Sequence, residues 1–172
     1  HGGLSKPGQC PLILKPFHIC RRNGGHAPSK DAVFYLGNVI PNEYTVEIVA
    51  TPYTNPGAGL AVYLVREGRN FIVELCKDNT CFVGLDGKDP RSNGTARRGA
   101  VFQVGRDNTI VCRVKDEGVT VLVNGKQVLE NADYRRLTTT NSDRDRATFA
   151  IGVHSAPWRI RKATLIVADD SK

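Results

Sequence analysis

Residues 108–130, NTIVCRVKDEGVTVLVNGKQVLE, constrain this chain more than any other stretch. Three short runs of alternating apolar and polar residues are separated by Asp116-Glu117-Gly118 and by Asn124-Gly125. Alternation with a period of two puts one set of side chains on a buried face and the other in water. Asn-Gly between two such runs marks a tight hairpin, because a type I′ turn needs positive φ at both central residues. The segment therefore predicts an antiparallel three-strand meander, which commits the chain to a β architecture.

The rest of the chain repeats that pattern. Strands are expected at 32–37, 44–50, 60–66, 70–76, 81–85, 101–105, 147–154 and 158–168, besides the three of the meander. Parity changes inside the last of these. Trp158 and Ile160 share one face, while Ala163, Leu165 and Val167 belong to the opposite phase, so a bulge near Arg161-Lys162 is required. No segment sustains a 3.6-residue period. About eleven short strands with closely spaced turns predict an all-β fold, a two-sheet antiparallel jelly-roll sandwich.

The 172 residues, 40% of them hydrophobic, suit one domain with a full core. No apolar run reaches the ~18 residues that a membrane-spanning helix needs, so membrane insertion is not expected. The chain opens on His1 and has no Met, and is read as a processed or excised piece. Residues 1–30 are rich in Gly, Pro and basic residues and are expected to form an irregular N-terminal arm or linker, with the sandwich at 31–172. Five cysteines offer a local Cys76–Cys81 bridge across a hairpin loop and a Cys10–Cys20 bridge in the arm. Cys112 alternates with Ile110 and Val114 and is expected as a buried thiol. Two bridges suit an extracellular or periplasmic setting, and five reduced cysteines inside a cell are the alternative. Dispersed ligands and the absence of a Cys-x-x-Cys pair argue against zinc.

The net charge of +7 is spread over small clusters such as Arg97-Arg98, Arg135-Arg136 and 159–162. It reads either as an ordinary solvated surface or as attraction to an anionic partner such as an acidic polysaccharide or nucleic acid. No RNA-binding strand signature or zinc-finger spacing supports nucleic acid.

From GVTVLVNGKQV (118–128), FAIGVH (149–154) and WRIRKATLIV (158–167), the chain resembles the concanavalin A-like lectin/glucanase superfamily over roughly 33–168. Within it, the same segments resemble most the laminin-G-like and 3-keto-disaccharide hydrolase-like domains of planctomycete-type bacterial proteins, and GLDGK (84–88) and NGTARRG (93–99) are similar to members found beside bacterial signalling or cytochrome modules. The resemblance implies a jelly roll that binds or processes carbohydrate. It carries over no catalytic residue, because the glucanase Glu-x-Asp-x-x-Glu strand is absent and Glu47 and Glu74 stand singly.

Candidate ligand-binding residues are Tyr63, Glu74, Arg113, Trp158 and His154, joined by Glu47. Carboxylates and a guanidinium on a sheet face suit sugar hydroxyls, and an aromatic ring suits the face of a pyranose. Against this, strand polar residues form ordinary solvated faces, a single Trp at a strand start is core or rim packing, and a lone strand-end His is hydrogen-bonded. Asp86 and Asp89 with Asn93, and Asp143 and Asp145 with Asn141, have the oxygen ligands of a calcium loop, although Arg91, Arg144 and Arg146 interleave with them. Three readings follow. The first is a non-catalytic module for a polysaccharide or glycoconjugate, the second a hydrolase of the 3-keto-disaccharide type, and the third an assembly domain that self-associates through a swapped arm.

Overall fold

The computed structural model describes residues 17–19, 32–37, 43–53, 59–66, 69–76, 80–83, 94, 102–131, 149–153 and 158–167, with backbone alone at 17–19, 32–37, 69–70, 81–83 and 131. Among these residues there are eleven strands. They are β1 (Phe17–Ile19), β2 (Ala32–Gly37), β3 (Tyr44–Pro52), β4 (Leu60–Arg66), β5 (Arg69–Leu75) and β6 (Thr80–Val83) in the first half. The second half adds β7 (Asn108–Lys115), β8 (Gly118–Val123), β9 (Lys126–Asn131), β10 (Phe149–Val153) and β11 (Trp158–Val167). A six-stranded sheet has the order β1-β11-β3-β7-β8-β9, and a five-stranded sheet the order β2-β10-β4-β5-β6. Every pairing is antiparallel. The architecture is all-β, a jelly-roll sandwich.

The meander forms as its residues dictate. Asn124 and Gly125 sit at φ 51° and 79°, and Val123 faces Lys126 across the turn. Lys115 faces Gly118 around Asp116-Glu117. In β3 and β7 the even-numbered residues up to 50 and 114 are buried and most of the odd ones half-buried or exposed. The expected bulge is present: the β11–β3 register shifts between Ile160 and Lys162, which leaves Arg161 out of the ladder.

Two expectations are corrected. Residues 102–106 are a turn, not a strand, because Asn108 collects it. Asn108 Oδ1 accepts from the Gln103 amide at 2.8 Å and from Asn124 Nδ2 at 3.0 Å. Its Nδ2 donates to the carbonyls of Gln103 at 3.0 Å and Arg106 at 2.9 Å. Those four bonds use the full capacity of a buried amide. In exchange, the segment expected to be an irregular arm supplies β1, whose Phe17, His18 and Ile19 pair with Ile160, Arg159 and Trp158.

The core lies between the sheets. Val46, Ile48, Ile110, Val121 and Ile160 of one sheet meet Leu60, Val62, Leu64, Leu75 and Ile151 of the other. Each such side chain contributes about 1.5–3 kcal/mol on full burial. Gly59 brings the start of β4 against β5 so closely that a Cβ there would lie 1.9 Å from the Leu75 carbonyl oxygen. Cys112 is fully buried, as expected, and burial pushes its thiol up to about 12.

One hydrogen-bonded tie crosses the core. The Tyr44 hydroxyl, at the start of β3, donates to the Val65 carbonyl at 2.8 Å and accepts from the Val65 amide at 2.8 Å. The pairing of β10 with β4 runs from Leu60 to Tyr63 and stops short of Val65. The phenol thus satisfies main-chain groups of β4 beyond the end of its neighbour. Next to it, the buried guanidinium of Arg66 pairs with Asp116 in the β7–β8 turn, and the Asp116 amide donates to Glu43 Oε1 at 2.7 Å.

Tyr44→Phe is expected to lower the free energy of unfolding by roughly 2 kcal/mol, because it strips a buried amide and carbonyl of their partner; a lower urea midpoint at unchanged m is the readout. Asn108→Ala is expected to cost a similar roughly 2 kcal/mol by the same reasoning and to raise hydrogen exchange at the Gly105 amide. Alkali supplies a third check. The Cys112 thiol is raised above its ordinary 9.0 by burial, as is the Tyr44 phenol above 10.0. Below pH 9 folded and unfolded chains hold the same thiol proton and stability is complete; from there to about 12 the unfolded chain alone gives it up, so stability falls as pH rises. Cys112→Val is expected to flatten that fall in a urea series across this range.

Candidate functional site

The structure separates the residues that the sequence groups together. Tyr63 and Glu74 lie on the outer face of the five-stranded sheet, in adjacent cross-strand pairs, Tyr63 with Ile72 and Ala61 with Glu74. Arg113 and Glu47 lie on the outer face of the other sheet, Arg113 between Thr45 and Thr120. The four cannot converge on one sugar. Tyr63 is only 7% exposed and packs with Ala61, Ala150 and Ile72, so its ring offers no open platform. Trp158 is 0% exposed, edge-on to Phe102 at 5.0 Å between centroids. Its core alternative holds, and the stacking role is corrected. Glu74 is half-buried and accepts from Cys76 Sγ at 3.4 Å. Glu47 accepts from Lys162 Nζ at 3.2 Å.

Other candidates lie outside the described residues: His154, the calcium-loop residues Asp86, Asp89, Asn93, Asn141, Asp143 and Asp145, both Cys10 and Cys20, and the side chain of Cys81. In the β5–β6 hairpin the register sets Cys81 opposite Glu74. Among the described residues there is no disulfide and no group of three His, Cys, Asp or Glu placed to hold a metal. Nor is any helix among them long and apolar enough to cross a membrane.

What the structure does assemble is a rim at the end of β3. The Gly105 amide donates to the Pro52 carbonyl at 2.8 Å, which clips the 102–106 turn to the strand end. Tyr53 and Val104 flank that bond, each 46% exposed, and they are the large apolar side chains left in water among the described residues. Polar residues occupy the neighbouring ladder and turn positions. Thr51 pairs with Arg159 across the β3–β11 ladder, and its hydroxyl donates to Asp107 Oδ1. Arg161, expelled from the ladder by the bulge, donates from Nε to the same Asp107 oxygen at 2.8 Å. Gln103 and Arg106 are exposed on the turn itself. Arg159 Nε is buried with no hydrogen-bond partner among the described residues.

Sequence reasoning missed this rim for a definite reason. Reading 101–105 as a strand hid the Gly105-Arg106-Asp107-Asn108 turn, although Gly, Asp and Asn in succession are turn chemistry. Tyr53 lies in the stretch expected to be a loop (51–59), where no alternation assigns it to a face.

The arrangement offers an accessible aromatic ring beside a carboxylate, a carboxamide and three guanidinium groups. Planar polar groups next to an exposed ring suit a polyhydroxylated ligand, whose apolar ring face stacks while its hydroxyls are hydrogen-bonded.

No family profile and no curated protein sequence matches the chain. Solved structures do match in fold. The carbohydrate-binding module CBM66 from Bacillus subtilis superposes with a TM-score of 0.53 at 12% identity, over 90% of this chain and 96% of that one. A structure from work on endo-acting O-glycanases with which human gut microbiota initiate mucin breakdown gives 0.56 at 13% identity, over 90% and 79%. A glycosyl hydrolase described as putative, from Parabacteroides distasonis, gives 0.52 at 14% identity, over 81% and 84%. This chain therefore shares its jelly-roll sandwich fold with these proteins.

Proposed function

We propose that this protein is a non-catalytic carbohydrate-binding domain, part of a larger extracellular or periplasmic protein, and that it holds a polysaccharide or glycoconjugate on the rim at Tyr53. The observation that carries the reading is the exposure of Tyr53 next to a strand end and a turn that carry polar and charged side chains. A ring next to a strand end that is hydrogen-bonded to a turn loses less freedom on binding a sugar than one on a free loop. The fold supports the same reading, since the sandwich aligns with nearly the full length of a carbohydrate-binding module.

The hydrolase reading, including the finer 3-keto-disaccharide type, finds less support. A glycosidase sets two carboxylates across one scissile bond, about 5–9.5 Å apart. Here Glu74 stands on one sheet's outer face and Glu47 on the other's, and Glu47 and Asp107 are each engaged by a cation.

Tyr53→Ala is expected to weaken glycan binding at least tenfold, in line with the roughly 1.5–3 kcal/mol of burying a large apolar side chain, while leaving the unfolding midpoint within error. A glycan array identifies the ligand and isothermal titration measures the loss. Unchanged affinity in Tyr53→Ala would remove the rim from the reading.

A further inference from the structure

The rim's charge selects among sugars. Its described charged groups are Arg106, Arg159 and Arg161 against Asp107 alone. Asp107 is spent on Arg161 and Thr51. Lys162, next along β11, is spent on Glu47. Arg106 and Arg159 have no carboxylate partner among the described residues. Nε of Arg159 is enclosed by protein, so its guanidinium meets a ligand through its terminal nitrogens. A planar guanidinium pairs with an oxyanion through charge-assisted bonds. Arg161 is fixed by its Asp107 bond, so its remaining N–H groups are oriented before any ligand arrives.

We infer that the ligand of the Tyr53 rim is an acidic saccharide, a uronate or a sulfated sugar, whose oxyanion is taken by Arg159 and Arg106 while its ring lies on Tyr53. The inference rests on the carbohydrate-binding reading and adds the ligand class. Gln103 then addresses hydroxyls, and a neutral sugar leaves Arg106 and Arg159 without an anionic partner. Specificity of this kind comes from a polar group that the wrong ligand fails to pair.

The test is isothermal titration of the full chain with three hexasaccharides at two salt concentrations: oligogalacturonate, a sulfated κ-carrageenan oligomer and neutral cellohexaose. The variants are Tyr53→Ala, Arg106→Gln, Arg159→Gln and the control Arg113→Gln. Arg113 lies on the same outer face, facing Thr45, six residues along β3 from Thr51 and so about 20 Å away. It removes the same unit of charge without touching the rim. Expected are binding of one or both acidic hexamers and at least about tenfold loss on Tyr53→Ala, Arg106→Gln and Arg159→Gln. Arg113→Gln is expected to bind as the parent does. Arg106 is exposed on a turn, so its variant keeps the test decisive if Arg159→Gln fails to fold. The arm that responds separates carboxylate from sulfate. Equal losses in Arg106→Gln and Arg113→Gln would mean that net charge alone attracts the ligand, and would overturn the inference. Tyr53-dependent binding of cellohexaose with no preference for the acidic hexamers would overturn the ligand class and leave carbohydrate binding standing. Failure of all three probes, together with a blank glycan array, would bring down both.

Discussion

The phenol of Tyr44 sets the two sheets against each other in a way that apolar contact alone does not. Hydrophobic packing is nearly indifferent to sliding by one residue pair, whereas two hydrogen bonds to one residue are not. By taking both main-chain groups of Val65, Tyr44 gives β3 a single position relative to β4. β3 is paired on both sides, to β11 and to β7, and β4 to β10 and β5, so the tie joins the centres of the two sheets. Register in a half-buried strand is all-or-nothing, since a slip of one residue turns the core face outward. The Arg66–Asp116 pair repeats the tie at the same end of the sandwich.

The other end of β3 is where chemistry is left exposed. There Asn108 spends its whole hydrogen-bonding capacity on the 102–106 turn and on Asn124, itself the first residue of the β8–β9 turn. The Asn124 amide and carboxamide in turn bond Thr109, with the amide donating to the Thr109 carbonyl at 2.8 Å. Two turns far apart in sequence are thereby welded into one corner. A loop held this way presents Gln103, Val104 and Arg106 from a fixed backbone, which is the condition under which surface side chains act as a site and not as a mobile fringe.

Legibility of the chain in its sequence follows where local chemistry and tertiary need agree. Asn124-Gly125 is unambiguous because few residue pairs adopt positive φ twice, and the meander around it is as expected. The alternation of 44–50 and 108–114 survives because each strand is central in its sheet. Residues 101–105 also look alternating, but Phe102 is buried under Trp158 from a turn, and nothing local reveals that Asn108 will claim the backbone of 103 and 106. β1 is illegible for the opposite reason: three residues after Pro16 in a Gly- and Pro-rich stretch carry no pattern, and only the free edge of β11 makes them a strand. Tyr63 reads as a polar-face aromatic because β4 was assumed to have a wet side, and both sides of it are buried.

The bulge at Arg161 joins fold to site. Without one extra residue between Ile160 and Lys162, β11 could not bury both Trp158 and Ile160 before it and Ala163 after it, because their parities differ. The insertion that solves this packing conflict must leave one residue unpaired, and that residue leaves the ladder on the solvent side. Here it is an arginine, within 2.8 Å of the Asp107 carboxylate that also receives the Thr51 hydroxyl. A hydrophobic requirement of the core thus delivers a cation to the rim. Sandwiches that share this fold at 12–14% identity need not share the bulge, the turn at 102–106 or the tyrosine beside it. On the reading proposed above, ligand choice follows from three local features of this chain and not from the architecture that carries them.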